Sequence, residues 1–295
     1  MAQNSSSGSS VSLAALSVIG SMASITCGAS IAKSVFSILG PLGTTSFRLG
    51  LAAIFLCLVV RPWRASISKA QFKIMALYGV CLAAMNLFFY LSISKIPLAV
   101  AIAIEFLGPL TIALMSSRKR TDVIWVLLAA LGIYLLLPAA AGDSLPLDGV
   151  IYALVAAVMW ALYIVVGKRA GGAGSPGVVT SVGMLVGAVA VLPFGGSAAV
   201  RILSEPSLLG SVFAIALLSS AIPYVLEMRA LKVLPAGTFG VLLSLEPAIG
   251  AVFGYLILTE VLEVTQLGAI GCIIAASIGA VTSAARDQGK NATTI

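Results

Sequence analysis

Histidine is absent from this sequence, and only 9% of its 295 residues are charged. Without histidine there is no histidine-based metal site, no Ser-His-Asp triad and no histidine proton relay, so any proton carrier must be an acidic residue or a chain of waters. So small a charged fraction cannot cover the surface of a soluble domain. The chain is instead 60% hydrophobic, with a mean hydropathy of +1.13. This composition predicts a polytopic membrane protein.

Motifs of catalysis and cofactor binding are also missing. Four cysteines are present, but each lies in an apolar run and no two have the spacing of metal ligands. We therefore interpret them as small buried side chains. No GxxxxGK loop marks a nucleotide site. The sequence thus predicts no enzyme, no metal site and no cofactor, and any active transport must use an ion gradient.

Ten apolar segments of 17–24 residues fill most of the chain. A helix of this length crosses a hydrocarbon core of about 30 Å, and lipid offers no hydrogen bonds to strands with open edges. The segments are 11–32, 42–60, 72–93, 97–115, 122–138, 148–167, 177–195, 208–228, 235–258 and 265–284. We predict an all-α membrane protein with ten transmembrane helices, a disordered N-terminal tail at 1–10 and a cytoplasmic C-terminal tail at 285–295.

Basic residues are distributed unevenly between the two sets of loops that join these segments. One set, together with the C-terminal tail, contains thirteen of them, and the other contains Lys33, Lys95 and Arg201. The thirteen are Arg61, Arg64, Lys69, Lys73, Arg118, Lys119, Arg120, Lys168, Arg169, Arg229, Lys232, Arg286 and Lys290. The positive-inside rule places the richer set and both termini in the cytoplasm. The net charge of +7 is therefore a topology signal, and nucleic acid is not an expected partner.

An internal repeat relates the two halves of the chain. Two pairs of identical residues are 135 positions apart, Lys33 with Lys168 and Pro41 with Pro176. Two more pairs are 138 positions apart, Pro97 with Pro235 and Pro109 with Pro247. The repeats are residues 11–140 and 147–284. Five spans are an odd number, so the second copy enters the membrane from the opposite face. Inverted repeats of this kind are typical of secondary transporters, with the substrate site near the midplane.

Two acids lie near the centres of apolar spans, Glu105 in 97–115 and Glu246 in 235–258. A charge at the centre of a membrane helix costs about 2.5–3.5 kcal/mol on insertion scales. Small residues share a helical face with each acid, which indicates that both face the bundle interior. Each acid either hydrogen-bonds a neighbouring helix or serves the transport pathway. We favour function for Glu105, since an apolar setting lets a carboxyl group hold and release a proton near neutral pH.

Other polar residues in the spans are candidates for the substrate or proton pathway. Arg48 would pair with an interior acid, hold a substrate carboxylate, or do both. Lys33 would extend to the membrane surface or line the pathway. Further candidates, as cavity-lining groups or interfacial anchors, are Asn86, Tyr90, Trp160 and Tyr163. Glu227 and Tyr224, near the cytoplasmic end of a span, are candidates for a gate or for an interfacial position.

Five segments resemble the threonine/homoserine exporters of the EamA family, a branch of the drug/metabolite transporter superfamily. They are "ASITCGASIAKSVF", "FRLGLA", "MNLFFYLSISKIPLAVAIAIEFLGPL", "WALYIVVGKRAG" and "IPYVLEMRALKVLPAGTFGVLLSLEPAI". The resemblance covers residues 11–284. It implies two inverted EamA repeats, a bacterial inner-membrane location, and export of small neutral amino acids in exchange for protons.

We therefore expect a protein embedded in the lipid bilayer that exports threonine, homoserine or a similar zwitterion. We expect the proton to be the ion whose movement is coupled to export. The alternative is export of another small organic cargo, such as a lipophilic cation or another metabolite. The sequence leaves open whether the protein is a monomer or a homodimer.

Overall fold

The computed structural model describes residues 3–115 and 145–259, together with 124–125, 127–128, 131–132, 135, 263–265, 267–272, 274–276 and 278–279. All regular structure in these residues is helical, and none of them forms a strand. The predicted spans 122–138 and 265–284 lie partly outside the described residues. The predicted C-terminal tail, 285–295, lies wholly outside them.

Five helices form the described part of the first half. They are α1 (Gln3–Ser34), α2 (Phe36–Val60), α3 (Lys69–Ile93), α4 (Leu98–Glu105) and α5 (Leu107–Met115). A capping box begins α3, because the Ser68 side chain accepts from the Gln71 backbone N–H and the Gln71 side chain accepts from the Ser68 backbone N–H.

Seven α-helices lie within residues 145–259 of the second half. They are α6 (Leu147–Gly171), α7 (Pro176–Val191), α8 (Gly196–Ser204), α9 (Ser207–Ala216), α10 (Ile222–Val233), α11 (Ala236–Leu242) and α12 (Glu246–Leu258). A π-helical turn, Leu217–Ala221, joins α9 to α10, and a 3₁₀ turn, Leu243–Leu245, joins α11 to α12.

Seven helical segments of the described chain are long and apolar enough to cross a membrane. They are Leu13–Ser34, Phe36–Val60, Lys69–Ile93, Leu98–Met115, Leu147–Gly171, Pro176–Gly195 and Ser207–Val233. Each coincides with one of the ten predicted spans. Large apolar side chains such as Leu58, Val189 and Leu256 are exposed on the surface of the bundle, as expected where a protein meets lipid.

The predicted span 235–258 contains one 3₁₀ turn, Leu243–Leu245, immediately before Glu246 and Pro247. Proline has no N–H to donate to the carbonyl four residues earlier, and Glu246 instead donates its N–H to the Leu243 carbonyl in 3₁₀ geometry. The backbone stays helical through this turn and continues as α12.

A similar irregularity occurs in the first half. Helix α4 ends at Glu105 and α5 starts at Leu107, with a turn residue, Phe106, between them and three residues before Pro109; the Phe106 N–H still donates to the Ile102 carbonyl. Adding the repeat separation of 138 to position 106 gives 244, which is inside the 3₁₀ turn of the second half. Both irregularities therefore lie at the same place relative to a proline.

Two predicted boundaries also differ from the structure. Helix α1 begins at Gln3, so residues 3–10 are helical where we predict a disordered tail; a helix that has already formed extends through polar residues at little cost. Helix α2 begins at Phe36 and is kinked at Gly40, where φ is 68°. Glycine tolerates this value and Pro41 restarts the helix, so the predicted start at 42 marks the kink.

The two halves pack against each other along most of their length. Helix α3 packs on α6 and α7, α2 packs on α7, and α1 packs on α10. The backbones of α3 and α7 approach closely at Gly79 and Gly183, where a Cβ on either glycine would overlap the other helix. A cavity lies where the halves meet.

Candidate functional site

A cavity of about 30 Å³ lies among helices of both halves. It is lined by Ile25, Ala29, Arg48, Met85, Asn86, Phe89, Tyr90, Glu105, Trp160, Ser219, Tyr224, Glu227 and Glu246. Eight of the ten residues that we predicted for the pathway, gate or interface are in this lining. The structure thus brings together, at one point, side chains from α1, α2, α3, α4, α6, α10, α12 and the π-helical turn.

Arg48 is the positive charge of the cavity, and its side chain is only 2% exposed. Its Nη1 donates to the backbone carbonyl of Ser219 at 2.8 Å and to the Ser219 hydroxyl at 3.0 Å. The carbonyl is available because Pro223, four residues later, cannot donate the helical hydrogen bond. A proline in α10 and the π-helical turn before it therefore create an acceptor for the buried guanidinium.

Asn86 connects Arg48 to the second half of the chain. Its Oδ1 accepts from Arg48 Nη2 and, at 2.9 Å, from the Tyr224 hydroxyl. Its Nδ2 lies 2.7 Å from the Leu82 carbonyl, one turn earlier in α3. Tyr90 lies one turn after Asn86, and its ring centroid is 4.4 Å from Arg48 Cζ, a cation–π contact.

Glu105 and Glu246 lie next to the two helical irregularities. Glu105 precedes Phe106, and Glu246 follows the 3₁₀ turn Leu243–Leu245. Both acids are 6% exposed and line the cavity. Carboxyl groups from the two halves of the chain therefore share one buried cavity with Arg48.

Glu227 lines the cavity. It is 2% exposed, because α10 continues to Val233 and leaves this acid inside the bundle. It accepts from the Tyr163 hydroxyl at 2.8 Å and from the Ser21 hydroxyl at 3.5 Å. Tyr78 donates to the Tyr163 hydroxyl at 3.3 Å, so a chain of two phenols leads away from Glu227. Glu227 and Tyr224 are both buried, and their role as a gate or at the interface stays a prediction.

Lys33 does not reach the cavity. Its Nζ lies 3.4 Å from the carbonyl of Ile96, at the end of the segment that precedes Pro97. Lys168 of the second half donates to the carbonyls of Leu231, at 2.9 Å, and Leu234, at 2.7 Å. Both lysines therefore bind backbone at the ends of helices, away from the charged centre.

Sequence reasoning missed several members of the site. Ser21 and Ser219 bind charged groups, and Tyr78 extends the phenol chain. One usable signal was present for Ser219, since it precedes Pro223 by four residues and its carbonyl must find another donor. Ser21 and Tyr78 had no comparable signal, because each becomes relevant only through contacts made between distant helices.

The fold and the cavity define the class of protein. Ionisable side chains at the centre of a bundle of apolar helices, beside helical irregularities, form the arrangement of a secondary transporter. Among known proteins, the EamA-like transporter family matches residues 147–282. A solved crystal structure aligns with 92% of this chain and with 98% of its own chain, with a TM-score of 0.62 and 18% sequence identity. This similarity shows a shared fold.

Two curated relatives give the family. The threonine/homoserine exporter RhtA of Escherichia coli (strain K12) is 45% identical over 268 residues, 90% of either chain. The protein of the same name from Salmonella typhimurium (strain LT2) is 45% identical over 267 residues, again 90% of either chain. The chain belongs to the EamA-like transporter family and is a membrane protein that crosses the bilayer several times.

Proposed function

We propose that this protein exports threonine, homoserine and similar small neutral amino acids across the bacterial inner membrane. One observation carries the proposal: a single cavity contains the guanidinium of Arg48 and the carboxyl groups of Glu105, Glu227 and Glu246. A zwitterionic amino acid has one group of each sign, so it matches this lining. The names of the two relatives at 45% identity support the substrate.

The proposed architecture has ten transmembrane helices in two inverted repeats, 11–140 and 147–284. The equivalent helical irregularities near Pro109 and Pro247 support it. So do the equivalent contacts of Lys33 with Ile96 and of Lys168 with Leu234, because 96 and 234 differ by the same 138 residues. The family match over 147–282 is consistent with a second repeat of this extent.

The proposed orientation has both termini in the cytoplasm. The distribution of basic residues distinguishes the cytoplasmic side, and contacts between loops support the grouping of the loops into two sides, since residues assigned to one side meet one another. Lys95 pairs with Asp148 at 3.1 Å on the side assigned to the outside. Gln71 Nε2 donates to the Ala173 carbonyl and Lys232 Nζ to the Gly174 carbonyl on the side assigned to the cytoplasm. A homodimer stays a prediction.

Transport by alternating access follows from the size of the cavity. At about 30 Å³ it has room for about two water molecules, and threonine has eight heavy atoms. The substrate therefore requires the two halves to separate on one side at a time. Rocking of one repeat against the other around a fixed central site provides this movement.

Glu105 is the proposed proton carrier, and Glu246 the proposed partner of the substrate ammonium. Both carboxyl groups line the cavity that contains Arg48, and acids at such a depth are typical of proton relays and substrate sites. An inward proton and an outward amino acid would then use the same cavity in turn. Export would run on the proton gradient, in keeping with a sequence that has no GxxxxGK nucleotide motif.

The experiment uses purified protein in liposomes with an imposed pH gradient. We expect the wild type to drive radiolabelled L-threonine against its concentration gradient. Glu105→Gln should abolish this coupled movement while retaining exchange of threonine for threonine. Glu205→Gln, at an exposed acid, is the control and should behave as wild type.

Two results would contradict the proposal in different ways. Undiminished coupling in Glu105→Gln would remove the proton role from this residue. A panel of competing solutes tests the substrate: inhibition by lipophilic cations, with none by threonine or homoserine, would favour the drug/metabolite alternative.

A further inference from the structure

The guanidinium of Arg48 is incompletely satisfied. It has five N–H donors and makes three hydrogen bonds, to the Ser219 carbonyl, the Ser219 hydroxyl and Asn86 Oδ1. No described residue accepts from its Nε–H, although this atom is fully buried. A buried donor without an acceptor costs about 1–3 kcal/mol. A further acceptor is therefore expected at this edge of the guanidinium.

The charge of Arg48 also lacks a counter-ion. All its hydrogen-bond acceptors are neutral, and it forms no ion pair within the described part of the chain. A buried cation whose partner is absent is strongly destabilising. An anion that binds at the Nε–H edge would supply the acceptor and the charge together.

A second unsatisfied donor belongs to the residue whose ring packs on Arg48. The hydroxyl of Tyr90 is buried and finds no hydrogen-bond partner among the described residues. Its ring packs under Arg48, with Cζ 4.4 Å from the centroid. Phe36 and Phe89 hold this ring, with centroids at 5.4 Å and 6.1 Å. The phenol therefore has a fixed place in the cavity wall next to the guanidinium.

We propose that the Nε–H of Arg48 and the hydroxyl of Tyr90 form a binding subsite for the α-carboxylate of the transported amino acid. A carboxylate has two oxygens, so it can accept from both donors at once and neutralise the guanidinium. Asn86 and Ser219 are positioning residues, since they hold the guanidinium and leave its Nε–H edge unbound. The substrate class is an α-amino acid with a free carboxylate, and the subsite rests on the proposed function.

The subsite also determines which analogues are rejected. A substrate without a carboxylate leaves the Arg48 charge and the Tyr90 hydroxyl unpaired when the cavity closes. Sites with buried hydrogen-bonding groups discriminate strongly against ligands that cannot pair with them. L-Threoninol, in which CH₂OH replaces the carboxylate, keeps the ammonium and side chain of threonine and is therefore the matched probe.

The test measures inhibition of threonine counterflow in proteoliposomes by unlabelled L-threonine and by L-threoninol. The wild type should bind threonine far more tightly than threoninol. Tyr90→Phe removes only the hydroxyl. We expect it to weaken the binding of threonine about tenfold, because one charge-assisted hydrogen bond is lost, and to leave the binding of threoninol unchanged. Tyr255→Phe, at a tyrosine that is 61% exposed, is the control.

Each outcome decides something. If wild-type protein moves neither compound, the proposed function fails. If the wild type moves threonine, two results would contradict the subsite alone: Tyr90→Phe weakens the binding of threonine and threoninol equally, or it weakens the binding of neither. Arg48→Lys is a second test. It keeps the positive charge and removes the planar guanidinium group, so the preference of the variant protein for threonine over threoninol should also fall about tenfold. Size-exclusion profiles identify a variant that has not folded.

Discussion

Lys33 and Lys168 make the same contact in the two halves of the protein. Lys33 Nζ lies 3.4 Å from the Ile96 carbonyl, and Lys168 Nζ lies 2.7 Å from the Leu234 carbonyl. Both carbonyls directly precede a proline, where no helix continues, and a charged donor to such a carbonyl contributes about 1.5–3 kcal/mol. In the proposed orientation one contact lies on the outer side and the other on the inner side, so we infer that each stabilises the closed form of its own side.

We predict that Lys33→Met and Lys168→Met shift access to the cavity in opposite directions. Methionine keeps the length of the side chain and removes its donor, so each change weakens closure on one side only. The readout is a cysteine in place of Ala29, a cavity residue, in a background without Cys27, Cys57, Cys81 and Cys272. A membrane-impermeant maleimide should label it faster from outside in Lys33→Met and faster from the cytoplasmic face in Lys168→Met.

The control for this labelling is Lys232→Met, since Lys232 is exposed and should leave both labelling rates unchanged. If both variants increased labelling from the same face, the two lysines would not close opposite sides.

Gly28 allows α1 to approach the π-helical turn that holds Arg48. A Cβ on this glycine would lie 2.6 Å from Ser219 Cβ and 2.7 Å from the Ser219 backbone nitrogen, closer than real atoms permit. We predict that Gly28→Ala displaces Ser219, destabilises the protein by about 1–3 kcal/mol and reduces threonine transport at least tenfold. Thermal unfolding in detergent and proteoliposome transport measure the two effects.

Gly50→Ala is the matched control, because a Cβ there meets nothing within 4 Å. Replacing glycine in a helix by alanine should then stabilise the protein by up to about 1 kcal/mol and leave transport unchanged. Equal losses in the two variants would mean that close packing at Ser219 is not the cause.

The sequence predicted most of the charged site but little of its support. Glu105, Glu246 and Arg48 were identifiable because charge in an apolar span is costly wherever it occurs. Ser21 and Tyr78 were not, since serine and tyrosine are common in membrane helices and their roles depend on which helix packs opposite. The 3₁₀ turn at Leu243–Leu245 had a signal in Pro247, which cannot donate to the Leu243 carbonyl.

Tyr163 and Glu227 are expected to be strongly coupled. Their hydroxyl–carboxyl distance is 2.8 Å, and both side chains are buried. Removing one partner leaves the other unpaired, so Tyr163→Phe and Glu227→Met, which has no oxygen to accept the bond, should each destabilise, and the double variant by less than their sum. We expect an interaction energy of about 1.5–3 kcal/mol from a double-mutant cycle of unfolding in mixed micelles.

The same cycle between Glu227 and Tyr255, an exposed tyrosine, supplies the reference and should give an interaction energy near zero. A value near zero for Tyr163 and Glu227 as well would mean that this hydrogen bond adds nothing to stability.

Pro247 produces the 3₁₀ turn between α11 and α12, directly before the cavity residue Glu246. Pro247→Ala restores an N–H that can donate to the Leu243 carbonyl four residues earlier, in place of the 3₁₀ bond from Glu246. We predict that the turn becomes α-helical, that stability is unchanged or higher, and that transport falls at least tenfold, because the changed helix geometry moves the Glu246 side chain relative to the cavity. Hydrogen exchange around position 247 should slow. Pro206→Ala, at an exposed proline before α9, should alter none of these quantities. Wild-type transport by a Pro247→Ala protein with slowed exchange would mean that the 3₁₀ turn is dispensable for transport.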